Sequence, residues 1–511
     1  MQSWLEARQA GVLLHPTSLP GGGDLGPGAR GFVAFMEEAG FGVWQMLPIG
    51  PVDAMGSPYL SASSYAGNTA LISPEDLRAH GLLTNAIQLD NARDPERHQL
   101  LECVQRALPA HPEHQRALAR FRDDQSHWLT DYALFRCLAR VHDDRPWVQW
   151  PAAERDRDPG RLAALKHQLA TEIERECLGQ YLFSLQWQAL HDYAANRGIR
   201  LFGDIPIYVA HNSADVWCRP ELFDLDDTGL PREVAGVPPD AFAHDGQHWG
   251  NPLYRWNRLE QEGFQWWIDR LAHQLQRFDL LRLDHFRGFE AYWAIPASAL
   301  TAAEGCWRQG PGTGLFSAIF QALGPLPLAA EDLGEITPAV ERLRRELACP
   351  GMRVLQFAFD GDASNPHRPH NHRVDSVVYT GTHDNDTTLG WWHACDETTR
   401  ATAMDYLASP SAPMPWPLIQ SAFDSVAQLA IIPLQDLMAL GSEARMNTPG
   451  TAEGNWQWQL PPGEPSPDMV PRLRRALAVS GRARAVTPSA YGPSPGDAGD
   501  SDGRGTSGPA S

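Results

Sequence analysis

Short apolar runs that end in polar residues recur along the 511-residue chain. They are GVLLHPTS (11–18), FGVWQMLPIG (41–50), IRLFGDIPIYV (199–209), FDLLRLDHF (278–286), PLPLAAEDLG (325–334), GMRVLQFAFD (351–360), DSVVYTGTHDND (375–386) and QLAIIPLQDLM (428–438). Runs this short and continuous read as strands buried on both faces. Helix-like segments precede most of the later ones, at 31–39, 181–196, 263–277, 315–322 and 338–347; the first carries Phe32, Phe35, Met36 and Ala39 at helical spacing. Eight apolar strands alternating with helices predict an α/β fold, a (β/α)8 TIM barrel. Two intervals are too long for a simple crossover. Residues 74–180 are charged, Ala/Leu/Arg-rich and predict an inserted helical subdomain, whereas 210–262 are rich in Asp, Pro, Gly and Trp and predict a long loop over one end. The barrel with its insertions is expected to fill residues 1–485, with no separate C-terminal β-sandwich. A Gly/Ser/Pro-rich tail, 486–511, is expected to be disordered.

The stretch LLRLDHFRGF (280–289) sets two charges, Arg282 and Asp284, inside a buried run. Buried charges are costly unless paired. Barrel enzymes work at the C-terminal ends of their strands, and three runs stop there on carboxylates: Asp284, Glu331–Asp332, and Asp384 with Asp386. Two carboxylates flanking a bond are the minimum kit for glycoside cleavage. Residues i and i+2 share a strand face, so Arg282 should lie beside Asp284 and keep it ionised, as suits a nucleophile. Glu331 arrives through PLPLAAE with no cation within six positions on either side. Its pKa should be raised, as suits a proton donor. Position at a strand end does not distinguish Glu331 from Asp332, or Asp384 from Asp386. A structural Arg282–Asp284 ion pair is the competing reading for any one residue; the set of strand ends favours a site.

Composition narrows the partners. With 42 Lys+Arg against 62 Asp+Glu the net charge is −20, which argues against nucleic acid, anionic membrane or a polyanionic substrate. Seven scattered cysteines without a CxxC pair predict reduced thiols in a cytoplasmic protein. The N-terminus shows no signal peptide, and no apolar run reaches the ~20 residues that span a bilayer. Eighteen Trp include candidates for stacking on sugars, although most Trp in any chain serve the core. HDND (383–386) and the three His of NPHRPHNH (365–372) predict no metal site, and no cofactor is expected.

Across almost its whole length the chain resembles the 4-α-glucanotransferases of glycoside hydrolase family 77, the amylomaltase or disproportionating-enzyme type within the α-amylase clan. The resemblance rests on GVLLHPTSLPG, WQMLPIGPV, SPYLSASSYAGN, LFGDIPIYVAHNSADVW, VAGVPPDAF, GQHWGNPLYRW, FDLLRLDHFRGFEAYW, AEDLGEITPAV, YTGTHDNDT and EARMNTPGTAEGNWQW. It implies transfer of α-1,4-glucan segments between maltooligosaccharides by a retaining double displacement, without metal or cofactor; the sequence gives no oligomeric state, and a monomer is the default. It further implies Asp284 as nucleophile, Glu331 as general acid/base and Asp384 as the carboxylate gripping the sugar hydroxyls. Arg282, His285 and His383 match polar contacts around that sugar, Tyr59 an aromatic platform beneath it, and Ser57 a further substrate contact. Asp240, Gln247 and Trp249 match a loop arching over the cleft, and Asn455 a donor-side contact. Ala54 and Met55 stand where the family often has aromatics, which puts in doubt a surface site for long glucans. A hydrolase or phosphorylase on the same barrel, and a non-catalytic glucan binder, are the competing readings.

Overall fold

Eight parallel strands close into a barrel in the computed structural model, which describes residues 7–84, 94–239, 244–408, 411–451 and 453–484. The strands are β1 (Gln9–Leu13), β2 (Val43–Gln45), β3 (Arg200–Ile205), β4 (Leu280–Leu283), β5 (Leu328–Ala330), β6 (Gly351–Val354), β7 (Ser376–Tyr379) and β8 (Leu429–Pro433). Each pairs with the next in the chain, and β8 returns to β1 in the register Gln9↔Leu429 to Leu13↔Pro433. The TIM barrel expected from the eight runs is the fold.

Strand alternation sorts the barrel side chains into two layers. Leu13, Val43, Phe202, Leu280, Ala329, Met352, Val377, Tyr379 and Ile431 pack together as one buried cluster, the barrel interior. Val12, Trp44, Leu201, Leu281, Ala330, Val378 and Ile432 belong to a second cluster shared with the surrounding helices. Those helices include Pro27–Ala39, Ala170–Ala195, Gln265–Leu275, Gly312–Leu323 and Pro338–Glu346. Between β6 and β7 the described chain forms only short 3-10 turns, at Leu355–Phe357 and Pro369–Asn371.

Residues 74–168 carry a run of helices, among them Leu129–Val141, which packs on Ala170–Ala195. That last helix starts well before residue 181, where periodicity placed it. It is buried by the insertion on one side and the barrel on the other, from Ile173 through Leu190, so it lacks the single apolar stripe by which a surface helix is read.

The interval 210–262 differs from the predicted loop. It contributes strands Glu233–Val237 and Gln247–Pro252, which join Ala291–Pro296 and Cys306–Gln309 in a four-stranded antiparallel sheet. Gly236 permits the closest approach there, since a Cβ on it would meet the Gln247 carbonyl oxygen at 2.1 Å. Gln247–Pro252 (QHWGNP) has little strand propensity of its own; its pairing partners decide. Among the described residues no helix is long and apolar enough to cross a membrane. The tail 486–511 and Asp240 lie outside the described residues.

Candidate active site

Layer alternation carries β4 and β5 into the barrel mouth. Leu280 faces inward, so Arg282 and Asp284 follow it; Ala329 faces inward, so Glu331 follows and Asp332 turns out. Buried Arg282 places one Nη1 2.6 Å from Asp204 Oδ2 and 2.8 Å from Asp284 Oδ1. Burial opposes the Arg282 charge, and Asp204 and Asp284 more than offset it. The Asp284 N–H donates to the Ile205 carbonyl at 2.9 Å, tying the end of β4 to β3.

The chain then turns sharply. His285 is left-handed (φ 50°, ψ 51°), a conformation that His tolerates better than most residues. Its N–H donates to Glu331 Oε2 at 2.8 Å, and the Leu333 N–H donates to Oε1 at 3.0 Å. Burial pushes the Glu331 carboxyl up to about 7 from an ordinary 4.5, against the pull of Arg282 and with help from Asp284. The sequence hid this cation, which approaches Glu331 from β4. Burial raises the Asp332 carboxyl as well, but its surroundings differ. It lies buried outside the barrel, accepts from the Met352 N–H at 2.6 Å, and faces Arg344 at 3.3 Å and Arg353 at 3.5 Å.

Beyond β7, His383 Nε2 lies 2.9 Å from the Tyr59 hydroxyl and 3.3 Å from Asp384 Oδ1. The Tyr59 and His383 rings stack at 5.4 Å, and the Tyr59 hydroxyl donates to Asp204 Oδ2 at 2.8 Å. Asp384 Oδ1 accepts from Asn447 Nδ2 at 2.6 Å. Asp386 instead accepts from Ser442 Oγ at 2.6 Å and from the Thr387 N–H at 2.8 Å.

The remaining sequence-predicted residues divide. Trp249, on the antiparallel sheet, stands edge-on to the His285 ring (4.9 Å, 88°), and its Nε1 donates to Gln247 Oε1 at 3.0 Å. Burial lowers His285 to about 4, and its Nε2 is buried without a hydrogen-bond partner among the described residues. Ser57 serves its own turn, accepting from the Tyr59 N–H at 3.3 Å and donating its N–H to Asp53 at 2.8 Å. Asn455 uses its amide within one loop, accepting from the Thr448 N–H and donating to Thr451. Three residues that the sequence reading did not single out join the site: Asp204, Asn447 and Trp456. Trp456 packs 5.9 Å from the Tyr59 ring and 6.0 Å from that of His383. Asp204 carried a signal, a carboxylate two positions after Phe202 within the run IRLFGDIPIYV.

Among the described residues no three His, Cys, Asp or Glu side chains converge as a metal site would require. His367 accepts from the Val354 N–H, while His370 bonds Tyr406 and His372 bonds Ser425. A mouth with one carboxylate clamped by arginine and another held protonatable near neutrality can run nucleophile and acid chemistry on one bond.

The family profile described as 4-alpha-glucanotransferase (Glyco_hydro_77) matches residues 14–464. The chain belongs to the 4-alpha-glucanotransferase family. It is 48% identical over 499 residues to a 4-alpha-glucanotransferase of Thermus thermophilus, covering 93% of this chain and 99% of that one. A 4-alpha-glucanotransferase of Synechocystis is 46% identical over 482 residues, 90% of this chain and 95% of the relative. Among solved structures, the amylomaltase from Streptococcus agalactiae in complex with acarbose superposes with a TM-score of 0.90 at 34% identity, covering 93% of this chain and all of that one. The activity is that of the family: the protein is an enzyme of the 4-alpha-glucanotransferase, or amylomaltase, type.

Proposed function

We propose that this 4-alpha-glucanotransferase moves α-1,4-glucan segments between maltooligosaccharides by a retaining double displacement. Asp284 attacks C1 of the donor glucose while Glu331 protonates the departing oxygen. A covalent glucosyl–Asp284 ester forms, and Glu331 then takes the proton of an acceptor 4-hydroxyl as that oxygen attacks C1 and releases Asp284. Asp384 holds the distorted ring more tightly in the transition state than in the ground state. Arg282, His285, His383 and Tyr59 line the reacting sugar, with Ser57 shaping the Tyr59 turn. Gln247 and Trp249 cover the acceptor side, Asp240 is a further substrate-binding residue, and Asn455 shapes the donor-side loop. The acarbose bound by the Streptococcus relative supports extending a cleft for the same ligand to this chain. Seven free thiols support a reducing, cytoplasmic setting.

The carrying observation is the contrast between the two inward carboxylates, Asp284 against Arg282 at 2.8 Å and Glu331 raised to about 7. Product analysis on maltotriose tests the reading. Transfer gives glucose with a ladder of longer oligosaccharides, hydrolysis gives glucose and maltose only, and a binding protein gives nothing. Asp284→Asn should keep the fold and lose turnover by orders of magnitude; near-normal transfer would remove Asp284 from the nucleophile's role.

A further inference from the structure

The segment Arg445–Asn447, which follows β8, makes three hydrogen bonds to two consecutive residues beyond β7. Arg445 Nη2 donates to the Asp384 carbonyl at 2.7 Å, the Asn447 N–H donates to the His383 carbonyl at 3.1 Å, and Asn447 Nδ2 donates to Asp384 Oδ1 at 2.6 Å. Arg445 Nε also donates to the Asn447 carbonyl at 2.7 Å, folding the segment on itself. Two of the three contacts hold backbone, so the placement of the His383–Asp384 main chain does not depend on the Asn447 side chain. That side chain acts on the carboxylate alone.

We infer that Asn447 is a positioning residue for Asp384, fixing one carboxylate oxygen so that the other faces the sugar. The Asp384 side chain is 44% exposed against 27% for Asp284, so it is the less confined of the two. Rotation about its terminal torsion is broad and roughly two-fold. His383 Nε2, at 3.3 Å from Oδ1, is a weaker restraint because it also faces the Tyr59 hydroxyl at 2.9 Å. Oδ2 makes no protein hydrogen bond among the described residues. A fixed amide donor on Oδ1 therefore selects one orientation and leaves the second oxygen for ligand, as groups must be held before the reaction for the rate to gain. The inference rests on the proposed role of Asp384.

Steady-state transfer on maltotriose and thermal melts of the full chain test it. Asn447→Ala should lower kcat by about 10- to 100-fold, the scale expected of a displaced group, with KM changed less than about threefold and an unchanged melt. Asn447→Asp keeps the size but replaces the donor with a second carboxylate, and should lose more than the alanine variant. In an Asp384→Asn background, Asn447→Ala should cost much less than it does alone. Should the alanine variant fail to fold, a folded Asn447→Asp with kcat depressed by the same factor or more carries the inference. An aspartate variant as active as wild type, or more active than the alanine variant, would overturn it, as would a loss confined to KM. Normal transfer by Asp384→Asn would overturn both this inference and the role of Asp384. An inactive Asp384→Asn beside a fully active Asn447→Asp would overturn this inference alone.

Discussion

The main-chain N–H of His285 donates to the side-chain oxygen Oε2 of Glu331 at 2.8 Å. The residue directly after Asp284 thus reaches across from β4 to the carboxylate at the end of β5. The contact exists because His285 is left-handed, a conformation that costs of order 1 to 3 kcal/mol for a non-glycine residue. Backbone geometry therefore sets how Asp284 and Glu331 stand relative to each other, and leaves little to side-chain freedom.

The raised Glu331 carboxyl sets a pH dependence. In its proposed role as proton donor Glu331 must enter the reaction protonated, so kcat/KM for maltotriose should fall as pH rises through about 7. The sign for stability is the same. A carboxyl raised from 4.5 to about 7 on folding contributes stability that is complete below 4.5 and lost as pH rises through 7. Glu331→Gln should therefore gain stability relative to wild type between pH 5 and pH 8, by on the order of 1 to 3 kcal/mol. Urea unfolding of both proteins at the two pH values checks this. An equal difference at both would remove burial as the source of the shift.

Asp332 should behave as the inverse of its neighbour. Asp332→Ala strips the buried carboxylate from Arg344 and Arg353, and leaves buried Arg344 facing the more distant Glu341 at 3.7 Å. A loss of about 3 to 5 kcal/mol is expected, while transfer per folded molecule stays near wild type. Denaturant melts with active-site-normalised rates separate the two effects; an inactive yet stable Asp332→Ala would reverse the assignment.

Asp204 receives both Arg282 and the Tyr59 hydroxyl on one oxygen. Asp204→Asn removes the negative charge while leaving an acceptor in place. It should lower kcat/KM for transfer about tenfold or more, because loosening Arg282 moves Asp284, and small misplacements are costly at a reacting centre. Unchanged kinetics in a folded variant would show that Asp284 alone suffices to hold Arg282.

Trp249 bears on why sugar should win over ~55 M water as acceptor, a contest decided by positioning. Its ring meets His285 edge-on and its N–H is spent on Gln247, so the ring itself is the group that can cover the site. Trp249→Ala should raise the ratio of hydrolysis to transfer and weaken acceptor binding by roughly 1 to 3 kcal/mol. Free glucose and new oligosaccharides measured side by side decide it. An equal fall in both rates would mean that the ring only supports the sheet.

Much of the barrel was written locally. Apolar runs mark all eight strands because a parallel strand buried on both faces needs apolar residues throughout. The period of two alone sets Arg282 beside Asp284, and the unusual charges within a buried run mark the strand ends where chemistry belongs. That same all-apolar character hides which face is which: PLPLAAED does not reveal that Ala329 faces inward, and only barrel closure assigns Glu331 to the mouth and Asp332 to the ion pairs outside. The antiparallel sheet was illegible because QHWGNP becomes a strand only through pairing with Glu233–Val237, which itself pairs with Ala291–Pro296. The Asp204–Arg282 contact spans 78 residues and the Asn447–Asp384 contact 63. Sequence periodicity reports which side of its own element a residue occupies, whereas such partners become neighbours only when non-adjacent segments fold against one another, and their hydrogen-bond geometry belongs to tertiary structure alone.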